Sequence, residues 1–318
     1  MDPFDDLLRG VRADGAAFGR SVLTPPAALR FVDGAPLTLC VPLRGEGWIT
    51  RAGGEKPLQV RVGEAVVVRG PEPFVFSTEP RSEFRPGELR DVHCGQSRVT
   101  EPAPDADPAE RTVLLAGAYH VQGRAPQRLL GVLPPVLVAT DDHDCASLRD
   151  YLDSQLGSCR PGRQIVLDRM LDWLLVCTLR DWFDQPGAEP PDWYRALGDD
   201  TVGPVLRAMH DAPNQPWTIA SLAARAGVSR TTLAKRFTEL VGEPPLTYLT
   251  DWRMTLAADL LTGSTATVAA VARQLGYADG FGFSAAFKRV HGVSPSEHRR
   301  LAHSVPEHRG ATPVTSVT

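Results

Sequence analysis
A chain of 318 residues with 42% hydrophobic and 23% charged residues has the composition of a globular protein long enough for two domains. Its most apolar stretch, 165–183, is interrupted by Asp168, Arg169, Asp172, Arg180 and Asp181, which excludes a membrane span of ~20 apolar residues. The net charge of -4 hides a contrast: residues 214–303 hold ten Lys/Arg against six Asp/Glu, a net of +4, leaving -8 for the remainder, so a polyanionic partner stays open.

The acidic opening MDPFDDLLRG lacks the basic and apolar parts of an export signal, so a cytoplasmic location is expected, with the five cysteines, none in a CxxC, as reduced thiols. Residues 1–140 are predicted to be β-rich. Short apolar runs at 37–43, 48–51, 58–62, 65–68, 113–116 and 136–139 are separated by Gly, Pro or charged turns, the pattern of a sandwich or barrel. The acidic, proline-rich stretch 100–110 is predicted to be an exposed loop between two strands. From residue 146 the period becomes helical. Leu148, Tyr151, Leu152 and Leu156 share a face, and a second helix follows Pro161-Gly162 to about residue 182. That helix is apolar on several sides, including Val166, Trp173 and Val176, and must be covered by its own domain or by a second subunit. Residues 141–185 are therefore read as a helical dimerisation segment, with Leu171 and Leu175 as candidate partner contacts and a homodimer expected. Residues 186–198 read as a linker and 304–318 as a flexible tail.

The last third contains an internal repeat. Leu222-Ala223, Gly227, Phe237, Gly242 and Pro245 recur as Val271-Ala272, Gly276, Phe287, Gly292 and Pro295, offset by 49 residues before the turn and 50 after it. In each copy a Thr (Thr218, Thr267) can cap a short helix, a Gly permits a left-handed turn, and Ser229 or Asp279 can cap the next helix. Helix, glycine turn, helix is the helix-turn-helix pattern, and two copies joined by a helix over 246–261 are far more specific than one.

The segment WTIASLAARAGVSRTTLAKRFTELVGEPPLTYLTDWRMTLAADLL, followed by VAAVARQLGYADGFGFSAAFKRVHGVSPSEHRR, resembles the DNA-binding domain of the AraC/XylS family of bacterial transcription regulators. The resemblance is densest at Val271, Ala272, Gly276, Tyr277, Phe283, Phe287, Lys288, Gly292, Ser294 and Pro295. RGEGWI, VGEAVVVRGPEPF and LPPVLV resemble the cupin-type effector domain of one group of these regulators. The implied fold is α+β and multidomain: a cupin-like β-barrel sensor at 1–140 with its helical dimerisation segment, and an all-α double helix-turn-helix domain at 199–303. The implied partners are double-stranded promoter DNA, an unidentified small-molecule effector and RNA polymerase, with no cofactor and no catalytic residue.

In the first unit, Leu233 and Phe237 are expected to face the core, while Ser229, Arg230, Thr231, Thr232, Lys235 and Arg236 are candidate DNA contacts. Arg pairs two acceptors on guanine, and Thr offers a methyl to thymine. The second unit departs from the family. It sets Gly280, Phe281, Gly282, Ser284, Ala285 and Ala286 opposite Arg230, Thr231, Thr232, Ala234, Lys235 and Arg236, and the Arg common at the Ala285 position is missing. Its helix should position more than it reads, through Gly280, Ser284, Lys288 and Arg289, with Arg299 and Arg300 as further phosphate contacts.

Three alternatives carry distinct expectations. A cupin-like metalloenzyme would need metal ligands, yet Thr38, Cys40 and Phe74 stand where a cupin offers them, leaving His93, Cys94 and His120 as an improvised set; no metal is expected. A redox-sensing regulator would act through Cys94, with Cys40 as the only other thiol in the barrel half. An adaptor would use its helix pairs for protein contacts and would not shift DNA.

Overall fold
A computed structural model describes residues 2–13, 18–51, 56–81, 83–85, 87–92, 111–140, 151 and 161–304. The chain divides into two compact units, one formed by Pro3–Arg195 and the other by Met1–Asp2 with Ala196–Thr318. The 100–110 loop, His93, Cys94, most of the helix expected over 148–156, and all of the tail after Ser304 lie outside the described residues.

The first unit carries β1 (Val11–Arg12), β2 (Phe18–Leu23), β3 (Ala28–Phe31), β4 (Leu37–Arg44), β5 (Glu46–Arg51), β6 (Leu58–Arg61), β7 (Glu64–Arg69), β8 (Phe74–Ser77), β9 (Leu89–Val92), β10 (Thr112–Val121) and β11 (Val136–Thr140). They form two sheets, ordered β1-β10-β4-β7-β11 with β2 also on β10, and β6-β5-β8-β3-β9. The cupin-like domain thus takes the form of two sheets around a shared core and is not closed into one barrel by ladder hydrogen bonds among the described residues. One face of β4, β7 and β10 gives Cys40, Val66, Val68, Leu114, Ala116 and Ala118 to that core, where Leu29, Ile49 and Phe76 meet them. The rings of Phe31 and Phe74 stack there at 4.6 Å. Phe76 lies over Gly47 so closely that a Cβ at Gly47 would sit 2.1 Å from the ring.

The opposite face of the same sheet is apolar as well, with Leu37, Leu39, Val41, Val67, Leu115 and Tyr119 all buried. A sheet buried on both faces needs a second cover. Two short helices, α1 (Pro3–Leu8) and α2 (Arg124–Val132), pack on each other, and the 22-residue α3 (Arg163–Asp184) packs against β1, β7 and β11. Gly117 makes room for it: a Cβ there would lie 3.2 Å from both terminal methyls of Leu171. Tyr119 donates its hydroxyl proton to the Leu171 carbonyl at 2.7 Å, and the Ala13 amide donates to Asp172 Oδ1 at 2.8 Å.

This placement corrects the expected partner contacts. Leu171 and Leu175, read from sequence as dimer contacts, are each 2% exposed and belong to the core of their own domain. The side of α3 left in solvent carries Ile165, Val166 and Trp173.

The second unit is helical throughout its described residues. The stretch read as a linker contains α4 (Asp192–Leu197), within which the first unit ends at Arg195; after it come α5 (Val202–Asp211), α6 (Ile219–Arg225), α7 (Arg230–Val241), α8 (Pro245–Gly263), α9 (Val268–Gln274), α10 (Gly280–His291) and α11 (Pro295–Ser304). Two cores form along this order. Val205, Leu206, Met209, Leu222, Leu233, Phe237 and Leu249 make the first, and Met254, Ala258, Leu261, Val271, Leu275, Phe283 and Phe287 the second. Helix α8 supplies both: its first half packs into one core and its second half into the other. Its 19 residues span about 28 Å at 1.5 Å per residue.

Candidate nucleic-acid interface
Each helix-turn-helix unit is built by the same local devices at equivalent positions. Thr218 and Thr267 cap the first helices by accepting from the Ser221 and Ala270 amides, and Ser221 answers Thr218 in a capping box. The turns pass through Gly227 at φ 68° and Gly276 at φ 81°, a region costly to residues with a Cβ. Ser229 then caps α7 by accepting from the Thr232 amide, and Asp279 caps α10 by accepting from the Phe281 and Gly282 amides at 2.8 and 2.7 Å. Both second helices end at a left-handed glycine, Gly242 and Gly292.

Leu233 and Phe237 on α7, like Phe283 and Phe287 on α10, are fully buried. That fixes which sides face outwards. Arg230, Thr231, Thr232, Lys235 and Arg236 are all exposed, but they are not equivalent. The Thr232 hydroxyl lies 2.8 Å from Ser229 Oγ, so the two hydroxyls form a closed cap. Lys235 makes only a loose 3.8 Å pair with Glu239, one turn along the helix. Arg236 is engaged elsewhere: its Nε and Nη2 donate to Asp199 Oδ2 at 3.1 and 2.8 Å. Asp199 in turn accepts from the Thr201 and Val202 amides through its other oxygen, both at 2.9 Å. Partial burial by itself would raise the Asp199 carboxyl, but the Val202 amide, Arg236 and the Thr201 amide outweigh it and hold the group below its usual value. Arg236 therefore ties α7 to the N-terminus of α5, a role invisible in sequence because its partner lies 37 residues away.

In the second unit the Ser284 hydroxyl donates to the Gly280 carbonyl at 2.7 Å, which turns its only polar group inward along the helix. Gly280 opens α10, and Lys288 and Arg289 are exposed in its last turns. Arg299, expected at phosphate, donates instead to the Leu261 and Ala266 carbonyls at 2.9 and 2.6 Å; Arg300 is exposed. Sequence reasoning passed over Phe281 and Arg253. Phe281, the second residue of α10, is 87% exposed. Arg253 donates to the Pro213 and Gln215 carbonyls at 2.6 and 2.7 Å and lies 5.8 Å from the ring centroid of Tyr277.

Of the sensor candidates, Cys40 is wholly buried between the sheets and burial pushes its thiol up, so it is unfit as the partner thiol of an exchange. Cys177 is buried on α3. His120 is exposed on β10, and no cluster of three or more His, Cys, Asp or Glu able to hold a metal occurs among the described residues. A surface cleft of about 470 Å³ is lined by Leu133, Pro134, Trp182, Gln185, Gly187 and Glu189, where α3 runs out into the segment before α4.

Residues 2–184 match a cupin family and residues 222–301 match a helix-turn-helix domain family. The chain is similar over almost its whole length to an AraC-like transcription regulator of Streptomyces lividans, 29% identical over an alignment of 306 positions that covers 94% of this chain and 98% of that one. Another, of Streptomyces antibioticus, is 28% identical and the alignment covers 96% and 100% of the two chains. Among solved structures the chain is similar to the DNA-binding domain of AdpA, a global transcriptional factor, in complex with a target DNA. The identity is 33%, the coverage 33% of this chain and 93% of that one, and the TM-score 0.31.

Proposed function
The chain belongs to the AraC-type transcription regulators that carry an N-terminal cupin domain, and from that premise we propose how the work is divided along it. Residues 199–303 bind promoter DNA, and base reading by hydrogen bonds falls on the first unit, through Arg230 and Lys235, with Thr231 offering its methyl. The second unit anchors, with Lys288 and Arg289 on phosphates. The observation that carries this division is the contrast between two helices of equal length and equal capping: α7 exposes long polar side chains on its first turns, whereas α10 begins Gly-Phe-Gly and folds its Ser284 hydroxyl back on itself.

The protein acts in the cytoplasm as a homodimer, joined through the solvent side of α3 that carries Ile165, Val166 and Trp173. An organic effector bound to the N-terminal domain shifts DNA binding by its differential affinity for two arrangements of the chain. The cleft beside Trp182 and Gln185 supports this reading, since its wall is the segment that leads towards the DNA-binding unit. No catalytic step is involved, and RNA polymerase is the partner through which the bound regulator acts.

The test is selection of duplexes from a random-sequence library with the full-length protein, followed by a footprint on the enriched sequence. Enrichment of a bipartite site is expected. Recovery of unrelated sequences, with no footprint, would refute the reading and leave the adaptor alternative.

A further inference from the structure
Building on the proposed reading of DNA by two paired units, we propose that Phe281 recognises the C5-methyl group of a thymine in the major groove, so that the second unit specifies its half-site by an apolar contact. Phe281 is the most exposed large apolar side chain among the described residues, at 87%. The core of its own unit makes no use of it: Phe283 and Phe287, further along the same helix, are the ones buried there, beside Met254, Leu261 and Val271. A phenyl ring left in water contributes nothing to folding, because the gain from apolar surface comes only on burial.

Its surroundings define what it can recognise. Gly280 and Gly282 flank it and raise no side chain of their own, and a Cβ at Gly280 would meet nothing within 4 Å. Asp279 Oδ1 accepts from both the Phe281 and Gly282 amides, and the Ser284 hydroxyl donates to the Gly280 carbonyl. The leading turn of α10 thus presents one aromatic ring on a bare backbone, with its neighbouring polar side chains already bonded. On the base edges of the major groove the apolar feature is the thymine methyl. The N-terminal residues of a helix-turn-helix reading helix are those that reach base edges, and Phe281 is the second residue of α10. Thr231, the second residue of α7 and 50 positions earlier, occupies the same register and carries a methyl of its own. One position in each unit is then suited to thymine, with polar neighbours beside it in the first unit and without them in the second.

The experiment uses the full-length chain and the duplex enriched by selection. Each thymine is replaced singly by deoxyuridine, which removes one methyl and leaves base pairing intact. One thymine in the half-site of the second unit is expected to weaken wild-type binding by about four-fold, the worth of one buried methyl. Phe281→Ala should bind the thymine duplex at least that much more weakly and should be indifferent to deoxyuridine at that position, while Phe281→Thr keeps part of the sensitivity. Unchanged thermal melting of both variants is the control for folding, and the deoxyuridine scan on the wild type stands without any variant. Wild-type indifference to deoxyuridine throughout the second half-site, or a half-site without thymine, would overturn the proposal while leaving DNA binding intact. So would a Phe281→Ala chain that keeps its sensitivity. Absence of any enriched duplex would instead sink the DNA-binding reading, and this proposal with it.

Discussion

Arg230, Lys235 and Arg236 are all exposed on one helix, and substitution separates them by what they touch. Arg230→Ala or Lys235→Ala should each weaken binding to the selected duplex by ~1–3 kcal/mol and relax preference at one base pair, read by titration against single-base variants. An equal loss on every variant would instead mark a phosphate contact. Arg236→Ala acts on the fold, because it strips one partner from Asp199; with its side chain 49% exposed, the pair stabilises by no more than about 1 kcal/mol. Asp199 has a folded pKa below its unfolded value, so its contribution is complete at neutral pH and is lost only as pH falls through the depressed value. Urea melts should therefore show wild type more stable than Asp199→Asn at neutral pH, with the gap closing below the ordinary carboxylate range. A gap that widens on acidification would show the sign to be wrong. Caps such as Ser229 and Asp279 were legible in sequence because a cap is a matter of two or three adjacent residues. The ion pair of Arg236 was not, because it closes a long loop.

At the scale of elements, periodicity located α3 but could not orient it. Leu171, Leu174 and Leu175 alternate around the helix with Ile165, Val166 and Trp173, and both sets are apolar. Only the sheet, buried on its outer face and hollowed at Gly117 to receive Leu171, decides which set is core. Strands with apolar runs, such as β4, β7 and β11, could be read directly, whereas β2, β3, β8 and β9 were missed: FGRSVL, ALRF and LRDV are broken by Arg, and FVFS follows directly on the proline-rich GPEP. The helix α2, RAPQRLLGV, was hidden because its nine residues carry Pro126 in the first turn and few apolar positions. Leu171→Arg should unfold the N-terminal domain, since a cation would be driven into a site 2% exposed beneath the sheet. Trp173→Arg should leave it folded and convert the proposed dimer to a monomer, as measured by sedimentation with circular dichroism as the control. A Trp173→Arg chain that remains dimeric would move the interface off α3.

For the DNA-binding unit as a whole, what matters is how two helix-turn-helix units are held at a fixed spacing. Helix α8 runs through both cores, and a second joint stands beside it: Arg253 on α8 grips the Pro213 and Gln215 carbonyls ahead of the first unit and lies against Tyr277 of the second. The Asn214 carbonyl between them approaches Gly276 so closely that a Cβ there would lie 2.2 Å away. The repeat made the two units legible in sequence, but the joint is not repeated and left no pattern to find. The two turn glycines consequently differ. Gly227, at φ 68°, has nothing within 4 Å of an added Cβ, so Gly227→Ala meets only the cost of the left-handed backbone, ~1 kcal/mol. Gly276→Ala meets that cost and a backbone clash, which the turn can relieve only by moving away from Asn214 and tilting the second unit against the first. Affinity for the complete bipartite duplex should therefore fall at least ten-fold in Gly276→Ala, ~1.4 kcal/mol or more, while affinity for a duplex holding only the first half-site stays near wild type. Binding titrations on the two duplexes decide it. Equal losses on both would mean that the substitution unfolds the unit, and equal retention on both would mean that α8 alone sets the spacing.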